Sequence, residues 1–234
     1  REGDVFRAGN GRIELSGRLG DGNLVRRVTL DGADRVFGQY NALLQTVDAG
    51  GQNRWTDASA VKAVQGSVTG GVAVVEITGA AARGQEAFEV THRLWLAPGA
   101  PWFVGEIVCV KNAGRAPLRL KGLFFRLYSE FRDVPQALPP NLWGMPVADC
   151  WLDGASGRFF GAVAARASDI RIDFWLDEAT KAQHPDARWE PDETVVAPGA
   201  TFAPADPVYV LCVAGAGGSA GWIDTAQELR KALE

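Results

Sequence analysis

Residues 86–131 constrain the fold of this chain most, because they read as three consecutive strands joined by two short turns. Apolar and polar side chains alternate with a period of two over residues 86–96, which is typical of a half-buried strand. The turn at 97–101, Ala-Pro-Gly-Ala-Pro, interrupts strand pairing because its prolines lack the amide hydrogen that a ladder requires. The pattern therefore predicts an antiparallel meander.

The second and third strands of this stretch add two details. Residues 102–111 carry apolar side chains on both faces, which indicates a central strand. Strict alternation assigns these side chains to two faces, Trp102, Val104, Val108 and Val110 against Phe103, Ile107 and Cys109. In residues 118–131 the apolar positions change from even numbers, ending at Leu120, to odd numbers, starting at Leu123. Because such a change indicates an extra residue, we predict a β-bulge at Gly122.

Composition favours one folded domain. The chain has 234 residues, of which 47% are hydrophobic and 22% charged, so a globular protein is expected rather than a disordered one. All-β sandwiches of this length are commonly single domains. We therefore expect one β-sandwich domain spanning residues 1–234.

Charge and hydropathy exclude two classes of partner. The net charge is -4, from 24 Lys and Arg against 28 Asp and Glu, without a basic run, so no nucleic-acid partner is expected. No apolar stretch approaches the ~20 residues that span a bilayer, so we expect a soluble protein without a membrane partner. The chain starts at Arg1 rather than at methionine, so we expect a processed mature form or a trimmed chain, and export is left open.

The three cysteines indicate neither a disulfide framework nor a metal site. Cys109 and Cys212 lie in apolar strand patterns, where a free thiol behaves as a small buried hydrophobe. We predict three free thiols, with a disulfide that includes Cys150 as the alternative. No C-x-x-C pair, P-loop or dinucleotide motif is present, so we expect no metal and no cofactor.

The rest of the chain repeats the strand signals and ends on a helical pattern. Asp31-Gly32 and Thr69-Gly70-Gly71 separate apolar runs, as the turns of β-hairpins do. Near the C-terminus Ser219 is a candidate helix cap, followed by apolar residues at helical spacing from Trp222 to Leu233. The sequence therefore predicts an all-β fold of two stacked antiparallel sheets with a short C-terminal helix.

One segment resembles a known family. Residues 88–102 read FEVTHRLWLAPGAPW, and the strand at 106–112 and the tripeptide Pro117-Leu118-Arg119 follow. This combination resembles the galactose mutarotase-like superfamily, a β-supersandwich that is also found as a domain in polysaccharide lyases and several glycoside hydrolases. The resemblance implies a carbohydrate ligand on the concave face of a large twisted sheet. It also implies acid–base chemistry by histidine with a carboxylate, as in the mutarotases.

The candidate catalytic residues are the two histidines, His92 and His184. His92 shares a strand face with Val90 and Leu94, so its alternative role is that of a core residue. His184 falls in a predicted loop beside Pro185, where the alternative is an exposed surface position.

The candidate ligand-binding residues come from two predicted strands and three predicted loops. The strands present polar faces, which are either ordinary solvated faces or the floor of a groove, and carry Arg126, Tyr128, Glu130, Arg171, Asp173 and Trp175. The loops carry Asn53, Arg54, Trp55, Trp143 and Trp189. Sugar rings stack on aromatic faces and their hydroxyls suit guanidinium, carboxylate and amide groups, so these residue types fit a saccharide. The alternative for the loop tryptophans is packing over the ends of the sheets.

Three functions remain open at this point. The first is a carbohydrate-binding or ancillary domain of a carbohydrate-processing system. The second is an enzyme, either a mutarotase-like sugar epimerase or a polysaccharide or uronate lyase. The third is a structural subunit without a ligand. The sequence leaves open which sugar is bound and how many copies assemble.

Overall fold

The computed structural model describes residues 3–58, 60–129, 147–153, 158–165, 170–179, 183–189, 194–204 and 208–212. The predicted helix at 219–234 lies outside these ranges. The candidate ligand-binding residues Glu130 and Trp143 also lie outside them.

The described part of the chain contains strands and no helix. The first half contains β1 (Val5–Gly9), β2 (Ile13–Arg18), β3 (Arg27–Leu30), β4 (Ala33–Val47), β5 (Asn53–Asp57), β6 (Ala60–Thr69), β7 (Val72–Arg83), β8 (Glu86–Leu96) and β9 (Trp102–Asn112). The second half contains β10 (Leu118–Ser129), β11 (Val147–Asp153), β12 (Arg158–Ala165), β13 (Ile170–Leu176), β14 (Gln183–Trp189), β15 (Thr194–Val196), β16 (Thr201–Phe202) and β17 (Val208–Cys212).

The described strands form two antiparallel sheets. Sheet A has the order β1-β2-β3-β4-β10-β14-β13, with β5 also paired to β4 and β15 also paired to β10. Sheet B has the order β11-β12-β17-β9-β8-β7-β6, with β16 also paired to β9. The predicted meander is correct for the β8–β9 hairpin of sheet B and wrong for its third strand, because β10 pairs with β4 in sheet A rather than with β9. The all-β antiparallel prediction is confirmed.

Both predicted hairpins form. Asp31 and Gly32 have φ of 51° and 75° and connect Leu30 directly to Ala33. The pair Gly70 and Gly71, with φ of 58° and 84°, makes the same connection between β6 and β7. Positive φ at both central residues matches the twist of the flanking strands, which explains the Asp-Gly and Gly-Gly sequences.

One hydrophobic core joins the inner faces of the two sheets. Leu15, Leu44 and Leu120 from sheet A belong to the same buried cluster as Ile77 and Leu94 from sheet B. Each is at most 1% exposed. Burial of a side chain of this size stabilises the fold by about 1.5–3 kcal/mol relative to leaving it in water. The alternation seen in the sequence therefore reflects one core-facing side per strand.

The predicted bulge in β10 is confirmed. Leu120 pairs with Thr46 and Gly122 pairs with Gln45, so Lys121 is the extra residue on the β10 side. The core-facing positions change parity accordingly, from Leu120 to Leu123. Because of the bulge, the pairing register of β10 with β4 is shifted by one residue beyond Lys121.

A second bulge was not predicted. Thr91 pairs with Cys109 and His92 pairs with Ile107, so Val108 is the extra residue in β9. Val110 is therefore buried with Ile107, and its assignment to the same face as Trp102 is wrong. Residues 102–111 are apolar on both faces, so alternation in the sequence carries no sign of the shift. Cys109 is a free thiol, and the structure does not test the other two cysteines.

Two turns with the sequence Ala-Pro-Gly-Ala are held by asparagines. The Asn10 side-chain amide donates to the carbonyls of Ala97 and Ala100 at 2.7 and 2.9 Å, and its backbone carbonyl accepts from the amide of Gly99. Asn112 does the same for the second turn: its side chain donates to Val196, and its carbonyl accepts from Gly199. We call Asn10 and Asn112 the turn-binding asparagines. Each ties a turn attached to one sheet to a strand end of the other.

Candidate functional site

The outer face of sheet A is defined by strand register. Directly opposed residues of an antiparallel pair lie on the same face of the sheet. Leu44 on β4 opposes Leu123 on β10, and both are fully buried, so their face is the inner one. Positions one residue away from them in these strands belong to the outer face.

A continuous polar row crosses four neighbouring strands on that outer face. Asn41 opposes Arg126, Arg126 opposes Asp186, and Asp186 opposes Asp173. Opposed residues in antiparallel strands have Cβ atoms about 4.5–5.5 Å apart. The register therefore places an asparagine, an arginine and two aspartates at consecutive positions across four strands.

The neighbouring row places like charges opposite one another. Arg171 on β13 opposes Arg188 on β14, directly beside the opposed pair Asp173 and Asp186. Like charges in directly opposed positions destabilise a sheet.

The other side of the polar row continues the same face. Trp175 opposes His184, and Tyr128 opposes Gln39. We call the whole set the sheet A polar face: Gln39, Asn41, Arg126, Tyr128, Arg171, Asp173, Trp175, His184, Asp186 and Arg188. Six of the residues predicted from the sequence thus share one face of one sheet.

The predicted loop from His184 to Trp189 is instead strand β14, and that prediction is wrong. The loop was predicted because the segment contains Pro185, and proline disfavours a central strand. The described pairing of β14 with β10 ends at Asp186, so Pro185 lies just beyond the stretch that is paired on both sides. Trp189 opposes Leu123, which places it on the inner side of the register rather than with Arg126.

The predicted loop at Asn53–Trp55 is also wrong, since these residues form strand β5 along β4. Trp55 opposes Gln45 on the outer face and is 49% exposed. Asn53, two residues away, is on the same face and is exposed. Arg54 has the opposite parity and lies opposite Thr46. Trp55 and Asn53 thus extend the outer face beyond the bulge in β10, while Arg54 does not.

Arg54 is engaged by the neighbouring turn. Its Nε donates to an Asp48 carboxylate oxygen at 2.9 Å. The other Asp48 oxygen accepts from the backbone amides of Gly50 and Gln52, each at 2.9 Å. The Gln52 amide, aided by Arg54, holds the pKa of Asp48 below its usual value. The arrangement fixes the turn that leads into β5.

His92 lies in the core between Val90 and Leu94 and has no exposed surface. Burial lowers the pKa of its imidazole to about 3, so the side chain is neutral at neutral pH. This position favours the core role over contact with a ligand. Its catalytic role stays a prediction.

Gln39, Asn41, Asp186 and Arg188 are members of the polar face that sequence reasoning missed. Asp186 and Arg188 could have been found from the sequence. They alternate with His184, which indicates a strand if a proline is accepted at position 185. Within the described ranges, no three His, Cys, Asp or Glu side chains come close enough together to hold a metal ion. No helix long and apolar enough to cross a membrane occurs in the part of the chain that the structure describes.

The fold, a sandwich of two stacked antiparallel sheets, is similar to that of solved structures. The Slr1438 protein from Synechocystis sp. PCC 6803 is similar, with a TM-score of 0.59 and 14% identity over 90% of this chain and 95% of that chain. A polysaccharide lyase is similar with a TM-score of 0.54 and 13% identity. That match covers 91% of this chain and 34% of the lyase.

One further solved structure is similar at a lower TM-score. It is a galactose mutarotase-like protein from Clostridium acetobutylicum, with a TM-score of 0.49 and 9% identity over 89% of this chain and 94% of that chain. No family model and no curated protein matches the sequence. At identities of 14% and 13%, the two stronger likenesses show the fold alone.

Proposed function

We propose that this protein is a carbohydrate-binding domain and that the sheet A polar face is its saccharide site. The observation that supports this most is the row from Asn41 through Arg126 and Asp186 to Asp173. Its amide, guanidinium and carboxylate groups supply both donors and acceptors for sugar hydroxyls. The tryptophan at position 175 lies on the same face and adds a ring on which a sugar can stack.

The charges on this face favour an acidic saccharide. At the paired positions of β10, β13 and β14, the arginines Arg126, Arg171 and Arg188 outnumber the aspartates Asp173 and Asp186. A sugar carboxylate between Arg171 and Arg188 would remove the repulsion between them and accept charge-assisted hydrogen bonds from both. A uronate-containing glycan is therefore the preferred ligand. The likeness to a polysaccharide lyase supports a carbohydrate ligand of some kind.

The proposal is tested by a glycan screen followed by calorimetry. Oligosaccharides with and without uronate residues are screened first, and the best binder is titrated into the parent protein and the Arg126→Ala variant. Because the lost guanidinium lies at the centre of the row, affinity should fall about tenfold or more. Thermal unfolding shows beforehand that the variant is folded.

The matched control is Arg115→Ala, which removes an exposed arginine from the segment between β9 and β10. Its affinity should equal that of the parent. If no saccharide binds, or if the parent, Arg126→Ala and Arg115→Ala bind with equal affinity, the proposed site is wrong. The protein would then be better described as a structural subunit without a ligand.

A second candidate function is catalysis on the same sugar. It is favoured by His184, which lies two residues from Asp186 on the same face and so places an acid–base pair beside the polar row. Assays of anomer interconversion and of unsaturated-uronate formation test it. Turnover by the parent that is lost in His184→Gln, with saccharide binding retained, would make the protein an epimerase or a lyase.

A further inference from the structure

Sheet B also has an outer face, and two tryptophans lie on it. Trp95 on β8 opposes Val74 on β7 and Val104 on β9. Trp102 lies two residues from Val104 on the same face of β9, diagonal to Trp95. All four side chains are partly exposed. Diagonal neighbours of this kind are about 7–8 Å apart, and we call Trp95 and Trp102 together the aromatic platform.

A row of charges borders this platform. Arg93 donates to Glu76 at 3.0 Å and to Glu106 at 3.1 Å, from the two strands on either side of it. Its guanidinium carbon lies 5.7 Å from the centroid of the Trp95 ring. Because two carboxylates hold the arginine, the arginine in turn holds one face of the ring, and the Trp95 side chain is fixed before any ligand arrives.

The other tryptophan is positioned by a turn. Trp102 directly follows the turn at 97–101, which Asn10 binds through both its side chain and its backbone carbonyl. This turn is therefore tied to the β1–β2 connection of sheet A. Both rings of the platform are attached to rigid elements, which lowers the entropy lost when a ligand binds.

The charged residues beside the two tryptophans favour a neutral ligand. On this face the carboxylates of Glu76, Glu106 and Glu89 balance the cations of Arg93, Lys62 and Lys111, so the face has no excess positive charge to attract an acidic glycan. Glu76 and Glu106 each use one oxygen for Arg93 and have a second oxygen that can accept a sugar hydroxyl. Aromatic rings beside hydroxyl acceptors suit consecutive pyranose rings of a neutral chain.

We propose that the outer face of sheet B is a second saccharide site, built on Trp95 and Trp102, that takes a neutral glycan chain. It lies on the opposite side of the sandwich from the sheet A polar face and on different strands. The two sites therefore differ in both position and ligand charge, and either one can exist without the other.

The test titrates a neutral glucan hexasaccharide and a hexagalacturonate separately into the parent and two variants. In Trp95→Ala the affinity for the neutral glycan should fall about tenfold, while hexagalacturonate binding is unchanged. The matched control, Trp55→Ala, removes an exposed tryptophan from sheet A and should leave the neutral glycan's affinity at the parental value. Trp95→Phe, which keeps a ring, should recover part of the loss.

The results separate this inference from the proposed function. Failure of the parent to bind the neutral glycan overturns the second site, as does neutral-glycan binding that is equal in the parent, Trp95→Ala and Trp102→Ala. Loss of hexagalacturonate binding in Arg126→Ala concerns only the sheet A site. If Trp95→Ala does not fold, Trp102→Ala gives the same test.

Discussion

The outer faces of the two sheets differ in how their charged residues are opposed. On sheet B, opposite charges are opposed: Arg93 lies between Glu76 and Glu106. A second group on that face pairs Glu89 with Lys62 at 2.8 Å and with Lys111 at 3.8 Å. Hydrogen bonding by Lys62, and then the charges of both lysines, hold the pKa of Glu89 below its usual value.

On sheet A two of the opposed pairs carry like charges, whereas a third pair, Arg126 and Asp186, carries unlike charges. Arg171 opposes Arg188, and Asp173 opposes Asp186. The charged side chains of sheet B thus form ion pairs across neighbouring strands, whereas the register of sheet A places two pairs of like charges opposite each other. Cross-strand pairing of unlike charges stabilises a sheet, and pairing of like charges does the reverse. We therefore expect the two faces to respond to substitution with opposite signs.

The largest effect should come from a residue that joins the sheets without lying on either outer face. Asn112 is 1% exposed, and its side chain donates to Val196 and Ala116 and accepts from the Gly114 amide. Asn112→Ala should lower the free energy of unfolding by roughly 2–4 kcal/mol, because buried hydrogen-bond partners lose their counterpart. Urea denaturation measures the loss.

The control is the partly exposed equivalent, Asn10→Ala, which should cost about half as much. For Asn112→Ala, the ratio of affinities for acidic and neutral glycans should match that of the parent. A changed ratio would mean that the two faces are coupled through the core, which would contradict the independence of the two proposed sites.

The next effect concerns pH and the inner side of sheet B. The folded pKa of His92 is about 3 and the unfolded value is about 6.5, so below pH 6.5 the unfolded chain binds a proton that the folded chain does not. Stability therefore falls as pH decreases from about 6.5 toward 3, by about 1.4 kcal/mol per pH unit. His92→Leu should lack this slope when urea midpoints are measured at several pH values.

An unchanged slope in His92→Leu would show that another group controls the acid loss. Comparison of slopes is independent of any packing defect, since that defect lowers stability by the same amount at every pH. Loss of catalytic turnover in a folded His92→Leu variant would instead support the catalytic role predicted from the sequence.

The smallest effects test the contrast itself. Arg93→Ala should lower the free energy of unfolding by about 1 kcal/mol, because Glu76 and Glu106 then flank a position without a cation. Arg188→Ala should raise it by a few tenths of a kcal/mol, roughly, because Arg171 loses a like charge opposite it. Both are measured by thermal and urea unfolding at low salt. The same sign for both variants would refute the comparison.

Much of the fold was predictable because local chemistry determines it. The Asp31-Gly32 and Gly70-Gly71 turns and the parity change at Gly122 each leave a mark in the sequence that one structure satisfies. The bulge at Val108 leaves none, since both faces of β9 are apolar. Alternation reports a bulge only where one face is polar.

The candidate site was only partly predictable for a related reason. Each strand's polar face can be read from its own residues, as it was for Arg126 and for Asp173. Which strands are neighbours is set by long-range pairing, and β14, between β10 and β13, was taken for a loop because of Pro185. Its residue Asp186, which connects the two predicted faces, was missed with it.

The most direct test of the central claim is a crystal structure of the protein with a bound uronate oligosaccharide. Our account predicts the sugar on the sheet A polar face, with its carboxylate or hydroxyl oxygens about 2.7–3.2 Å from the guanidinium of Arg126. A ligand bound elsewhere on the protein, with Arg126 free of contact, would contradict it.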